Sequence, residues 1–274
     1  RVTIGQFLNE RDPLLANRMF AELILSMDAS SAGGIFEELK NKRGQGSDEQ
    51  MTLFLRAWGQ IDGSAAMEAI DEFKRDPRRQ AQAGIAAISG WASKDPEGAK
   101  AYLASVDNEM ARGVLTQGIV SGMASTDPDG ATDYVLELDQ IQRARVADSD
   151  TRDERRQWLD RGRAYAFDRQ LDTIATAQIA LGMPNATAWA ENLPEGTIKA
   201  SAFDRIADRY ASEDPAAAAE WVRSHADQEY AERAVREVAE ELGKEDPEQA
   251  VRWVAELPDA TRSGAISQSM ERWT

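Results

Sequence analysis

The sequence predicts an all-α chain, built as an array of about seven antiparallel helical hairpins with one enlarged repeat. Three observations lead there: a period, a helix-start signal and two apolar stripes. Seven alanines, Ala32, Ala66, Ala99, Ala131, Ala186, Ala218 and Ala250, each stand four residues after a start position. Those starts, Asp28, Asp62, Asp95, Asp127, Gly182, Asp214 and Asp246, are 34, 33, 32, 55, 32 and 32 residues apart. A period of 20 to 50 residues is the mark of a repeat architecture, whose units bury their surface against their neighbours.

The first helix of each unit opens at its start position, numbered zero below. Four starts are Asp-Pro pairs, at Asp95, Asp127, Asp214 and Asp246. An Asp carboxylate accepts hydrogen bonds from unpaired amides of the first turn, and Pro suits the next position because no amide proton is needed there. From each start, apolar residues recur at +4, +7 or +8, and +11, which draws one stripe along a helix. The +7 column holds Ile35, Ala69, Tyr102, Tyr134, Trp189, Trp221 and Trp253, and the +8 column holds Phe36, Ile70, Leu103, Val135, Ala190, Val222 and Val254. Leu193-Pro194 and Leu257-Pro258 end two of these helices, since the residue before proline is pushed out of the α region.

A second helix then runs to the next start. Its stripe is the −8 column, Phe20, Phe54, Ala87, Ile119, Ile174, Ile206 and Val238, with a −4 column that includes Trp58, Trp91 and Leu242. Asp12-Pro13 and Asp76-Pro77 are helix starts of the same kind, placed before second helices. Residues 1–27 are expected to cap the array, with a lone second helix over 14–26. Trp273 falls in the −4 column of the last unit, so the chain stops where another unit would begin.

The unit starting at Asp127 carries roughly 23 extra residues, a charged helical insertion over 139–172. Between 141 and 170 eight arginines face five aspartates and one glutamate, a net of +2, whereas the rest of the chain carries −18. Guanidinium forks suit carboxylate or phosphate groups. Arg152, Arg155, Arg156, Arg161 and Arg163, with Trp158 among them, are therefore the candidate partner-binding residues. Two structural readings stand beside this one: a longer surface helix from Asp153 to Thr176, and a clasp onto the acidic body of the chain.

Composition bounds the function classes. A net charge of −16 runs against general nucleic-acid binding and favours basic partners or simple solubility. No run of 18 apolar residues is present, so no membrane span is expected. With no cysteine there is neither a disulfide framework nor a thiolate metal site. The chain opens on Arg1, so a trimmed or processed form is expected, with any targeting segment out of view.

A search for chemistry returns nothing that specifies a reaction. The single histidine, His225, stands in the +11 column otherwise filled mostly by leucine, which reads as packing. No metalloprotease, nucleophile-elbow or phosphate-loop motif occurs. Asp148, Asp150 and Asp153 begin like a calcium loop but lack its glycine, and Leu159 takes the position of its last ligand. The expectation is therefore no catalytic residue, no metal and no cofactor. Six of the seven tryptophans occupy or adjoin the periodic framework, and Trp158 is the exception.

The run Asp-Pro-x-x-Ala-x-x-Tyr/Trp, as in Asp95 to Tyr102 and Asp214 to Trp221, resembles the boundary between tetratricopeptide repeats. The period is shorter, however, and the glycine and tyrosine of that family's first helix are missing. Trp91-Ala92-Ser93-Lys94-Asp95-Pro96 is similar to the W-A-x-x-D-P repeats of large bacterial proteins. The resemblance implies a right-handed α-solenoid related to tetratricopeptide and HEAT arrays, from a bacterial cytoplasm or periplasm. It implies a non-enzymatic scaffold that binds a peptide or protein, through a concave face or the arginine-rich insertion. A structural spacer or self-assembling segment is the alternative, and a helical-toroid hydrolase the remote one.

Overall fold

The computed structural model describes residues 2–40, 47–147, 154–258 and 262. Among the described residues there are fifteen α-helices, two short 3-10 segments and no strand. The seven first helices are α3 (Ala29–Leu39), α5 (Gly63–Ala69), α7 (Pro96–Ala104), α9 (Pro128–Ala147), α11 (Met183–Asn192), α13 (Pro215–Arg223) and α15 (Pro247–Ala255). Each starts directly after its zero position. The second helices are α2 (Pro13–Leu25), α4 (Ser47–Ile61), α6 (Pro77–Ala92), α8 (Glu109–Ala124), α10 (Glu154–Ala180), α12 (Thr197–Glu213) and α14 (Glu232–Glu245). A helix that the sequence reading missed, α1 (Ile4–Asn9), precedes α2, so the region 1–27 holds two helices. Thr3 closes a capping box with Gln6 there, and Phe7 packs its ring 5.3 Å from Phe20.

The caps form as their chemistry requires. Asp28, Asp62, Asp95, Asp127, Asp214 and Asp246 each accept a backbone N–H of the first turn, at 2.9–3.0 Å. Gly182 has no side chain to cap with and stands at φ 112°, a conformation open to glycine. All seven alanines at +4 have 0% exposure, and every residue of the +8 and −8 columns is buried. Helix α5 is short, and a 3-10 segment (Ile70–Phe73) completes its burial.

The enlarged unit holds the two longest helices among the described residues: α9 has 20 residues and α10 has 27. The contacts of the chain divide it into two compact units, 1–166 and 167–274, with the boundary inside α10. In the first unit α4 packs on α6 and α6 on α8, with α5 touching α4 and α6, and α7 touching α6 and α8. In the second, α12 packs on α14, α13 touches both, α11 lies on α12 and α15 on α14.

Glycine sets the close approach of second helices in the first unit. A Cβ on Gly90 would collide with the carbonyl of Arg56, and one on Gly122 with the carbonyl of Ser89. Both glycines occupy position −5. Gly118, at −9, likewise leaves no room for a side chain beside Ile88 and the backbone of Ile85. Equivalent positions of α6 and α8 thus lie side by side. The motif tryptophan has contacts of its own: the Trp91 indole N–H donates to Asp95 Oδ2 at 3.3 Å, and its ring covers Gly63 and lies 5.7 Å from that of Tyr102.

Candidate functional site: a groove between two second helices

The −9 and −5 positions hold Ala86 and Gly90 in α6, and Gly118 and Gly122 in α8. In α12 the same positions are Arg205 and Arg209, and in α14 Glu237 and Glu241. Long charged side chains cannot make the backbone contact that small residues allow. Where α10 faces α12, inside the second unit, the result is a groove of about 520 Å³. One wall is Asp172, Ala175, Thr176, Ile179 and Ala180 of α10, and the other is Arg205, Asp208 and Arg209 of α12.

The two arginines differ in how they are held. Arg205 bridges the helices: its guanidinium lies 2.6 Å from Asp168 and 3.6 Å from Asp172, and donates to the backbone carbonyls of Asp168 and Ser201. Arg209 pairs at 2.7 Å with Glu213, one turn along its own helix, and its side chain is 58% exposed. Ile179, half-buried, and Ala180, exposed, supply an apolar strip on the α10 wall beside these charges, with Ala175 buried behind them. An ion pair held by two backbone acceptors fixes a wall, whereas an exposed pair within one turn neutralises its arginine and adds little to stability.

On its far face α12 meets α14 through charges. Asp204 pairs with Arg233 at 3.0 Å, yet burial holds its carboxyl above the usual range against that partner. Burial also raises Glu237, with Asp204, Asp208 and Glu240 adding like-charge repulsion. Asp208, exposed and part of the groove lining, adds its negative charge to the field at Asp204 and Glu237.

A second cluster lies at the junction of α11, α12 and α13. Phe203 stacks on Trp221 with centroids 4.2 Å apart, and His225 and Tyr230 meet Phe203 edge-on, each at 5.1 Å. The Trp221 indole donates to Glu191 at 2.7 Å, and His225 Nδ1 lies 3.1 Å from the Trp221 carbonyl. Lys199 sits over the Tyr230 ring and pairs with Glu195 at 2.8 Å. Phe203 is fully buried and the contacts are mutual, so this cluster is a packed joint rather than an opening.

Of the residues singled out in the sequence, Arg152 lies outside the described residues, as do Asp148, Asp150 and Asp153. Arg155, Arg156, Trp158, Arg161 and Arg163 fall on the first part of α10, where the backbone is helical and the side chains lie outside the description. The groove residues carry no motif in the sequence. Their signal was present in the −9 and −5 columns, where small residues give way to arginine only in α12. Among the described residues no group of His, Cys, Asp and Glu could hold a metal ion, and no helix is long and apolar enough to cross a membrane. No protein-family model matches the chain, and no curated protein or solved structure matches it.

Proposed function

We propose that the chain is a non-enzymatic scaffold, a right-handed α-solenoid of about seven hairpins with one enlarged repeat, that seats a peptide or protein segment in the α10/α12 groove. The observation that carries this reading is the groove itself: about 520 Å³ with an apolar strip between charged walls, at the one pair of second helices where arginines replace small residues. Concave sites with a few placed polar groups are where ligands bind. Repeat arrays supply such sites without moving their cores, because each unit is stabilised by its neighbours. The arginine-rich run of Arg152, Arg155, Arg156, Arg161 and Arg163 with Trp158 remains the second contact element of this reading.

Selection of displayed dodecapeptides against the intact chain tests it. Thr176 is exposed on the groove wall, so Thr176→Trp fills the space without touching the core. Enriched peptides should bind the native chain and lose most of their affinity for the Thr176→Trp variant. Enrichment of none, or of peptides indifferent to the substitution, would remove the groove as the seat.

One observation favours a second reading, self-association. On α2 the residues Leu14, Ala21 and Leu25 share one outward face, with Leu14 81% and Leu25 86% exposed. The −7 residues of the later second helices, such as Leu55, Ile88 and Val120, are fully buried, whereas Ala21 in that column is exposed. If this face pairs two copies, the sedimentation coefficient rises with concentration and stops rising in Leu14→Ser with Leu25→Ser.

A further inference from the structure

We infer that the α10/α12 groove takes a basic segment of a partner protein, a lysine or arginine side chain set between Asp172 and Asp208 with an aliphatic neighbour on Ile179 and Ala180. This rests on the scaffold reading above and names the partner's chemistry. The lining alone is balanced, with two carboxylates, Asp172 and Asp208, and two guanidinium groups, Arg205 and Arg209. Both guanidinium groups, however, already have carboxylate partners outside the lining. Asp168 lies 2.6 Å from Arg205, and Glu213 2.7 Å from Arg209. The charge left to a ligand is therefore negative.

Three features sharpen this. Asp172 is held only at 3.6 Å from Arg205, with 71% of its side chain exposed, so it can turn toward an incoming cation. Asp208, exposed on the opposite wall, adds to the negative field at Asp204 and Glu237, so a cation beside it relieves repulsion as well as gaining attraction. The chain as a whole carries −16, which draws basic segments toward it over long range. The apolar strip then separates a specific partner from any polycation, because only a segment with an aliphatic residue beside its cation covers Ile179 and Ala180.

The probe is a Gly/Ser dodecapeptide bearing Lys-Leu pairs, with Glu-Leu and Ser-Leu versions for comparison. Each is titrated into the ¹⁵N-labelled chain at about 150 mM salt, where the Debye length of roughly 8 Å suppresses diffuse attraction. The Lys-Leu peptide is expected to shift the amides of Asp172, Ile179 and Asp208. Asp172→Asn with Asp208→Asn should then weaken it by about five-fold or more, with melting curves checked to confirm an intact fold. Asp133→Asn with Glu137→Gln, two exposed acids on α9, should weaken it by less than about two-fold.

Equal weakening by both pairs of substitutions would mean diffuse attraction and overturn the inference. Binding of the Glu-Leu or Ser-Leu peptide in the groove with equal affinity would overturn the basic partner and leave the scaffold standing. If no version shifts the groove amides, the inference falls, and the Thr176→Trp selection decides the scaffold separately. Peptides that this variant excludes keep the groove as a seat of other chemistry, and none at all removes both.

Discussion

Gly122 and Gly113 lie on the same helix and should respond to substitution in opposite ways. At Gly122 any Cβ meets the Ser89 carbonyl, so Gly122→Val has to push α8 away from α6. Overpacking of this kind costs about 1–3 kcal/mol. A Cβ on Gly113 meets nothing within 4 Å, and Gly113→Ala should stabilise by about 0.5–1 kcal/mol through helix propensity. Urea unfolding of the two variants measures both, and a null effect at Gly122 would contradict the backbone contact. Asp28 gives a pH prediction. Hydrogen bonds from the Ser30 and Ser31 side chains, then the Ser31 amide, lower its pKa from 3.8 to about 2. A depressed carboxyl stabilises the fold above the unfolded pKa, and that contribution is lost as pH falls through about 2. The melting-temperature gap between the native chain and Asp28→Ala should accordingly narrow from pH 4 to pH 2.

At the scale of elements, the helix starts were the most legible part of the chain. Asp at the cap, Pro after it and Ala at +4 are local signals, and the first helices begin where those signals stand. Ala218 states the packing rule most simply, being fully buried in α13, which touches α12 and α14. Ala218→Leu should cost about 1–3 kcal/mol, and an unchanged melting temperature would show that its column is misplaced. What the sequence reading missed lies between elements. The stripes at +8 and −8 mark which face of a helix is inside, but a helix in an array has two further flanks, and these carry Gly, Ala, Arg or Glu. Arg205 and Arg209 look like ordinary solvated charges until their columns are compared with Gly118 and Gly122. α1 was missed for a different reason: six residues are too few to show a period.

For the whole molecule, charge is the quantity that composition fixes. A chain at −16 with a pI near 4.6 repels itself at neutral pH. Raising salt from about 10 to about 150 mM shortens the Debye length from roughly 30 to 8 Å and should raise the melting temperature. A fall would mean that ion pairs such as Arg205–Asp168 and Arg233–Asp204 outweigh the repulsion. All-helical architecture was legible at this scale because a 32-residue period with two amphipathic stripes leaves no room for strands. The groove was not, because its lining is made of flank residues that obey no period.

The buried alanines also bear on how such a chain can change over generations. Four residues past each of the seven starts of the first helices the side chain is a methyl group with 0% exposure. A gene that gained or lost one whole period would keep each start four residues ahead of its alanine and both stripes in register. A gain or loss of any other length would displace a cap from its alanine and turn both stripes out of register. The 55-residue spacing shows the permitted exception: extra length entered beyond the stripe, in the far parts of α9 and α10, where it left Ala131 and Ile174 buried. Inheritance can therefore act on this molecule by counting units, while novelty collects on the flanks and in the one stretched pair of helices.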